Sequence, residues 1–498
     1  MKLLLPFLIC FIYSVDYCNA KTWKIGPTRS YTLPSQVKTL VQDGDSIVID
    51  AGIYLNDATK WSKKNLHFIG LGTGTNRCVL RFNGNIPNGK GIFVFESPGI
   101  SDNPLIENIV FDGAQVSNAD GGNGAGIRFQ ARNITINNCK FVNCQNGILE
   151  GNAAVSGSNV IITNTEFENN GYKLPNDPTF SGYEHHIYIG ASTDSLLVQN
   201  CWFHHPRGMA NSLKTRAQKS YILYNLIDEE DGGYGSWEIN IAQGGLNVIM
   251  GNIIVQGNSG ANHGIIGYDA ATNALEELYF INNTVINRFA GNVKYFNFVP
   301  STGINKVKIY NNIFASLPSA SNTFISGNIP AKLDTAANLF ARDYRNFGFT
   351  NSLSGDFTLA SVAVTAIDKG VNAGNASSGF TLIPKWMYNA FNTTLRPRLM
   401  YGNRMDIGAF EFAHTSPVVN NNDPQIHMYP NPTNGDFIVE TTEDLEISIF
   451  NIAGEVMLKK TFEIGANHLS IEQPGIYYVS FHGKSTSGCK KLIVAQHH

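Results

Sequence analysis

The sequence predicts an all-β protein: a parallel β-helix over most of the chain, then a small antiparallel β-sandwich. Three observations predict it. Units of two short β-runs around an Asn turn recur at steps of 25 to 36 residues between Asn133 and Phe314. Alternation within the runs has period 2, and no amphipathic segment of helical period lies between them. Beyond Phe412 the repeat stops and shorter strands with Gly turns take over.

Composition narrows the function classes. At 498 residues the chain exceeds one compact core of ordinary size, so several domains or an elongated repeat are expected. Hydrophobic residues make up 43%. Charged residues make up 15%, against about 25% in an average soluble protein, so long charged tails are not expected. The net charge of -3 lacks the basic excess of a nucleic-acid binder.

The first 20 residues place Lys2 before a short apolar run, Leu3 to Tyr13, and end at Cys18-Asn19-Ala20. This pattern is that of a secretory signal peptide cut after Ala20. The run is shorter than the roughly 20 apolar residues a membrane span needs, and no later span is expected. Removing this segment leaves Cys78, Cys139, Cys144, Cys201 and Cys489. Small buried thiols are the expectation for most of them, with a Cys139–Cys144 bridge as the alternative.

The repeat runs through Asn133–Phe141, Asn159–Phe167, Ser195–Phe203, Tyr221–Ile227, Asn247–Ile254, Leu278–Ile286 and Val307–Phe314. Its anchoring Asn falls at 138, 164, 200, 225, 252, 283 and 312, in steps of 26, 36, 25, 27, 31 and 29. Propeller blades of about 40 to 45 residues are longer, whereas a coil of three short strands fits. Stacked at about 4.8 Å, the Asn residues are expected to form a structural side-chain ladder. The long step holds an insert near Asn169–Pro178, expected to line a binding face.

The entry segment Tyr31–Ser35 with Asp43-Gly44-Asp45 through Tyr54 resembles the cap of the pectate-lyase-like superfamily, and Gly402–Glu411 resembles its closing motif. The resemblance implies a right-handed parallel β-helix over 21–412. It leaves activity open, because that superfamily contains lyases, hydrolases, epimerases and non-enzymes. A polar linker follows over 413–425. Over 426–498, Tyr429-Pro430-Asn431-Pro432, Phe450-Asn451, Gly475–Val479 and Lys490–Val494 come in the order of the C-terminal sorting domain of type IX secretion. That resemblance implies a Bacteroidetes-type bacterium, the type IX machinery as partner, and a secreted or cell-surface location. A monomer is expected.

Chemistry is sought where four strands align at an offset of 26 residues: 186–190, 212–216, 238–242 and 264–268. Ile187, Leu213, Ile239 and Ile265 are expected inward. The alternate positions then point outward. They form the columns His186, Ser212, Glu238, Gly264; Tyr188, Lys214, Asn240, Ile266; and Gly190, Arg216, Ala242, Tyr268. Paired cations on a rigid face suit a uronate-containing polysaccharide. β-Elimination needs the carboxylate neutralised, the C5 proton removed and the leaving O4 protonated. Lys214 beside Arg216 is pushed towards the neutral base, and Arg216 is the carboxylate clamp. Tyr188, His186 and Glu238 are the supporting catalytic candidates. Asn240, Tyr268, His263 and Arg128 are the substrate-binding candidates. Similar strings recur in secreted bacterial β-helix proteins, where Asp is common at the place of Asn240.

Asp228, Glu229, Glu230 and Asp231 are weak candidates for Ca²⁺, which takes six to eight oxygens. His204 and His205 lack a carboxylate at ligand spacing in sequence, so loop packing is expected for them. Tyr172, Tyr183, Tyr234 and Trp237 are candidate sugar-stacking rings, with packing at a strand end as the alternative for Trp237. Two rival functions remain open. One is a glycoside hydrolase using Glu238 and Asp231, the other a non-catalytic surface glycan binder or adhesin.

Overall fold

The computed structural model describes residues 20–96, 98–151, 157–172, 183–261, 263–389, 394–413, 426–451, 455–483 and 487–495. Residues 1–19, expected to be a signal peptide, residues 173–178 of the expected insert, and residues 414–425 of the expected linker lie outside them. The chain forms two compact units, Met1–Ala413 and His414–His498.

The first unit is a parallel β-solenoid with no α-helix among the described residues. Between Ser46 and Gly327 each coil gives a strand to each of three sheets, which have 12, 12 and 10 strands in all. One coil runs Ser158–Thr163 in the first sheet, Glu166–Glu168 in the second and His185–Ile189 in the third. Inward residues stack rung upon rung. On the second sheet Phe111, Phe141, Phe167 and Phe203 lie nearly parallel at centroid spacings of 5.0, 5.2 and 4.8 Å. This continuous apolar column is the core of the coil.

The Asn ladder is present, but it occupies two adjacent columns. Between the first and second sheets the chain turns through two residues. The first takes a left-handed conformation, at Asn138, Asn164, Asn200, Tyr224, Gly251, Asn282 and Asn311. The second turns inward and reads Cys139, Thr165, Cys201, Asn225, Asn252, Asn283, Asn312 and Asn338. From Asn225 on, each inner Asn donates its side-chain N–H to the next Oδ1, at 2.9, 3.0, 3.1 and 2.9 Å. The anchoring residues 138, 164 and 200 therefore belong to the outer column, and 225 to 312 to the inner one. Asn suits both places: it tolerates positive φ and it satisfies a buried neighbour.

The same geometry accounts for the thiols. Cys78, Cys139, Cys144 and Cys201 are free and buried. Cys139 and Cys144 are not bridged; they sit at two different corners of one coil, each Sγ against a backbone carbonyl.

After Ala341 the chain doubles back along the solenoid. Ala373, Ala376 and Leu382 cover Leu246, Val248, Met250 and Tyr279 on the outside of the first sheet. Phe357, Leu359, Met387, Tyr388 and Phe410 cover Val255, Ile286 and Ile313 on the outside of the second. The 402–411 motif fastens this wrap. Asn282 donates to the carbonyl of Asp406 at 2.9 Å, and the buried Arg398 pairs with Glu411 at 2.9 Å. Among the described residues, the outward columns of the third sheet take no part in these clusters.

The second unit has antiparallel sheets of three and four strands around Phe437, Val439, Ile447, Ile449, Val479 and Leu492.

Candidate functional site

The third sheet pairs Tyr188 with Lys214, and Lys214 with Asn240, at the offset of 26 residues. The three form one file down the outside. The fourth strand is shifted by one: Asn240 pairs with Gly267, Ile239 with Ile266 and Ile241 with Tyr268. The extra residue lies in the turn Gln243-Gly244-Gly245, where both glycines have positive φ, 79° and 95°. A slip of one residue exchanges the faces of a strand. Tyr268 therefore points into the core, where its hydroxyl donates to Glu276 at 2.6 Å. Asp269 takes the outward place instead and accepts from the Asn240 amide at 2.8 Å.

A second departure affects His186 and Glu238. Each strand of this sheet places two successive residues inward at the corner nearest the second sheet: His186-Ile187, Ser212-Leu213, Glu238-Ile239. His186 is fully buried, with its ring 6.3 and 6.2 Å from Phe167 and Phe203 of the core. Glu238 is likewise internal and accepts from Ser212 at 3.1 Å. Strict alternation does not hold through this bend. The column of His186, Ser212 and Glu238 is interior, and neither His186 nor Glu238 shares the outer face with Lys214. The bend turns His185 outward instead, a residue that alternation assigns to the core.

The outer cluster centres on the Tyr188 ring. Lys214 Nζ is 5.4 Å from its centroid and Arg216 Cζ is 5.5 Å. The His185 ring meets it edge-on at 5.8 Å and 71°. Burial holds the Lys214 ammonium below its usual pKa, and Arg216 adds to this, while Asp269 opposes it. Burial, then Lys214, His186 and Arg216, push His185 well below its usual value, so its imidazole is neutral. Its Nδ1 accepts the backbone N–H of Asn211 at 3.1 Å, which places the proton on Nε2. Arg128 lies in the same outer file, through its pairing with Leu149 and that of Leu149 with Tyr188. The Nε atoms of Arg128 and Arg216 are buried without a hydrogen-bond partner among the described residues.

The remaining candidates lie elsewhere. His263 precedes the fourth strand and stacks on Phe289 at 3.6 Å. The acidic run does not converge on one point. Asp228 lies 3.7 Å from Arg288, and Glu230 contacts His204 and His205. Glu229 is internal, accepting the N–H groups of Gly235 and Gly257, and Asp231 is exposed. His204 is on a strand of the second sheet, not in a loop, and its carboxylates come from neighbouring rungs. Glu166, Glu168 and His204 bring ligand atoms within 4.8 Å of one another. The Lys140 ammonium already sits among them, 2.8 Å from Glu166 and 2.5 Å from Glu168. Burial opposes the charge on His204, but Glu166 and Glu230 outweigh it and raise its pKa to about 9.

Residues 427–495 match the secretion system C-terminal sorting domain. This is an export tag. It directs the protein out of the cell, to its surface or the medium. A comparison with curated proteins found no match. No helix among the described residues is long and apolar enough to cross a membrane.

Proposed function

We propose that the β-helix is an exported polysaccharide lyase acting on a uronate-containing glycan by β-elimination. The observation that carries this is the Lys214–Arg216–Tyr188 cluster on the third sheet. It is a lysine with lowered proton affinity, beside a guanidinium, on the sheet face that the described residues of the returning chain leave uncovered.

Arg216 pairs with the C6 carboxylate and draws charge from C5. Neutral Lys214 takes the C5 proton and becomes an ammonium. The C5–H electron pair forms the C4=C5 double bond as the C4–O4 bond breaks, and O4 leaves with the C4–O4 bonding pair. A proton from His185 Nε2 or the Tyr188 hydroxyl then makes it an alcohol. Asn240, held by Asp269, and Arg128 further along the file are placed to bind flanking groups of the chain.

The hydrolase reading loses its residues. It needs two carboxylates facing one bond, roughly 5 to 9.5 Å apart. Glu238 is internal and Asp231 is on an exposed loop after the second sheet. The test is a screen of full-length protein against pectate, alginate and chondroitin sulfate, with and without Ca²⁺, read by the ultraviolet absorbance of unsaturated uronide. Absorbance that grows with one polymer supports the reading. Binding without absorbance on all three would instead favour a non-catalytic glycan binder.

A further inference from the structure

Trp237 opens the third strand of the site, and its backbone N–H donates to Asn211 at 3.1 Å. Its side chain does not pack at the strand end. It lies flat over the next rung, where Gly264 and Gly267 stand. A Cβ on Gly264 would come 2.0 Å from Trp237 Cζ3, and one on Gly267 would come 2.9 Å from Cδ2. The indole therefore spans both glycines, against bare backbone. The following rung carries Lys294 and Asn297 in the same two columns, so the bare patch is confined to the area under the ring. Trp237 remains partly exposed, although one side of its ring lies against the glycines. Asn240 borders the ring: the same Cβ on Gly267 would come 3.0 Å from its Nδ2.

A flat, half-covered indole beside hydrogen-bonding amides suits the C–H face of a pyranose ring, because the negative π-face attracts the polarised C–H edge. We propose that Trp237 is a sugar-stacking platform, and that Gly264 and Gly267 are what let it lie flat. It lies about two rungs, or 10 Å, along the axis from Lys214. It would hold a pyranose further along the same glycan chain than the uronate at Lys214 and Arg216. The inference rests on the glycan reading of this face, but it uses a different interaction, apolar stacking rather than charge.

The test separates the two. Full-length protein is titrated by calorimetry and tryptophan fluorescence with hexasaccharides of galacturonate, of alginate and of chondroitin, with their disaccharides, and with carboxyl-reduced galacturonate hexamer. For the acidic hexamer that binds, Trp237→Ala is expected to lose tenfold or more in affinity and the emission shift. Disaccharide binding should change less than twofold. Trp237→Leu, which keeps the glycines covered, should lose as much as the alanine variant. Gly264→Ala, which lifts the ring without removing it, should lose affinity for the hexamer as well. Hexamer binding that is unchanged in Trp237→Leu and Gly264→Ala overturns the platform and leaves the charged site standing. Binding of the carboxyl-reduced hexamer through Trp237, with none of the acidic ones bound, supports the platform and removes the acidic-glycan reading. If no hexasaccharide binds, both are overturned.

Discussion

Asn283 in the inner ladder should be among the least replaceable polar residues of the solenoid. Its Oδ1 accepts the backbone N–H of Asn252 at 2.9 Å and the Asn252 side-chain N–H at 3.0 Å. Its Nδ2 donates to the carbonyl of Ile249 at 2.9 Å and to Asn312 Oδ1 at 3.1 Å. Asn283→Ala removes all four bonds, but three partners keep others. The Asn252 amide still reaches the Ile222 carbonyl, and Asn312 Oδ1 still accepts the Asn283 N–H. The Ile249 carbonyl keeps its place in the sheet ladder, where Met250 pairs with Ile281, so only the Asn252 N–H is stranded in the core. That one stranded group sets the loss at about 1–3 kcal/mol. The same column supplies the control. Thr165 accepts the Cys139 N–H at 3.3 Å and donates to the Thr163 carbonyl at 2.8 Å. Asn283→Thr should therefore satisfy the Asn252 N–H and recover most of the loss. Urea unfolding of the three proteins, with hydrogen exchange at the Asn252 amide, measures this. A loss below about 1 kcal/mol for the alanine variant, or threonine no better than alanine, would refute the ladder argument.

Other outcomes follow from the same contacts. Burial pushes the Glu150 carboxyl up from 4.5 to about 7, against donors from Thr193, Ser192 and Gly190. The folded state therefore holds this proton more tightly than the unfolded chain. Its contribution is fully present below pH 4.5 and is lost as pH rises towards about 7. The loss is about 3 kcal/mol, and Glu150→Gln should flatten that part of the stability–pH curve. Glu411→Ala would leave Arg398 buried without its partner, each now only 2% exposed. A cost of about 3–5 kcal/mol is expected, with faster exchange in strands Gly245–Met250 and Glu276–Ile281 as the wrap loosens. Gly147→Ala would place a methyl 2.5 Å from the His186 carbonyl and 3.0 Å from the Phe167 ring. Overpacking of about 1–3 kcal/mol should appear as a lower unfolding midpoint.

The solenoid was legible because its signal is local and repeated. Strand period, turn Asn and coil length recur in every unit, and the file of Tyr188, Lys214 and Asn240 follows from them. What escaped the sequence depends on small offsets. Outer and inner ladder Asn differ by one residue, so the step from 200 to 225 joins two columns. Gln243-Gly244-Gly245 adds one residue to a turn, and that one residue exchanges Tyr268 for Asp269. The pair of Gly residues was the available signal. The double inward step at His186-Ile187 is a bend that alternation does not anticipate. The opposing Gly126 and Gly147, which leave room for core Phe rings, were its trace in the sequence. The acidic partners of His204 lie 38 and 26 residues away, reachable only after the coils are stacked. The wrap of 342–413 has no repeat, and only its closing motif could be read.

The proposed role of Lys214 is to remove a proton from the glycan. Its most direct test compares Lys214→Ala with wild type on the polymer that gives unsaturated product, following turnover across pH and glycan affinity in parallel. Turnover should fall by at least a hundredfold, the contribution expected of a positioned base, with affinity reduced far less. In the wild type, turnover should rise with pH to a midpoint below the usual lysine value of 10.5. Turnover that survives in Lys214→Ala with the same pH profile would contradict it.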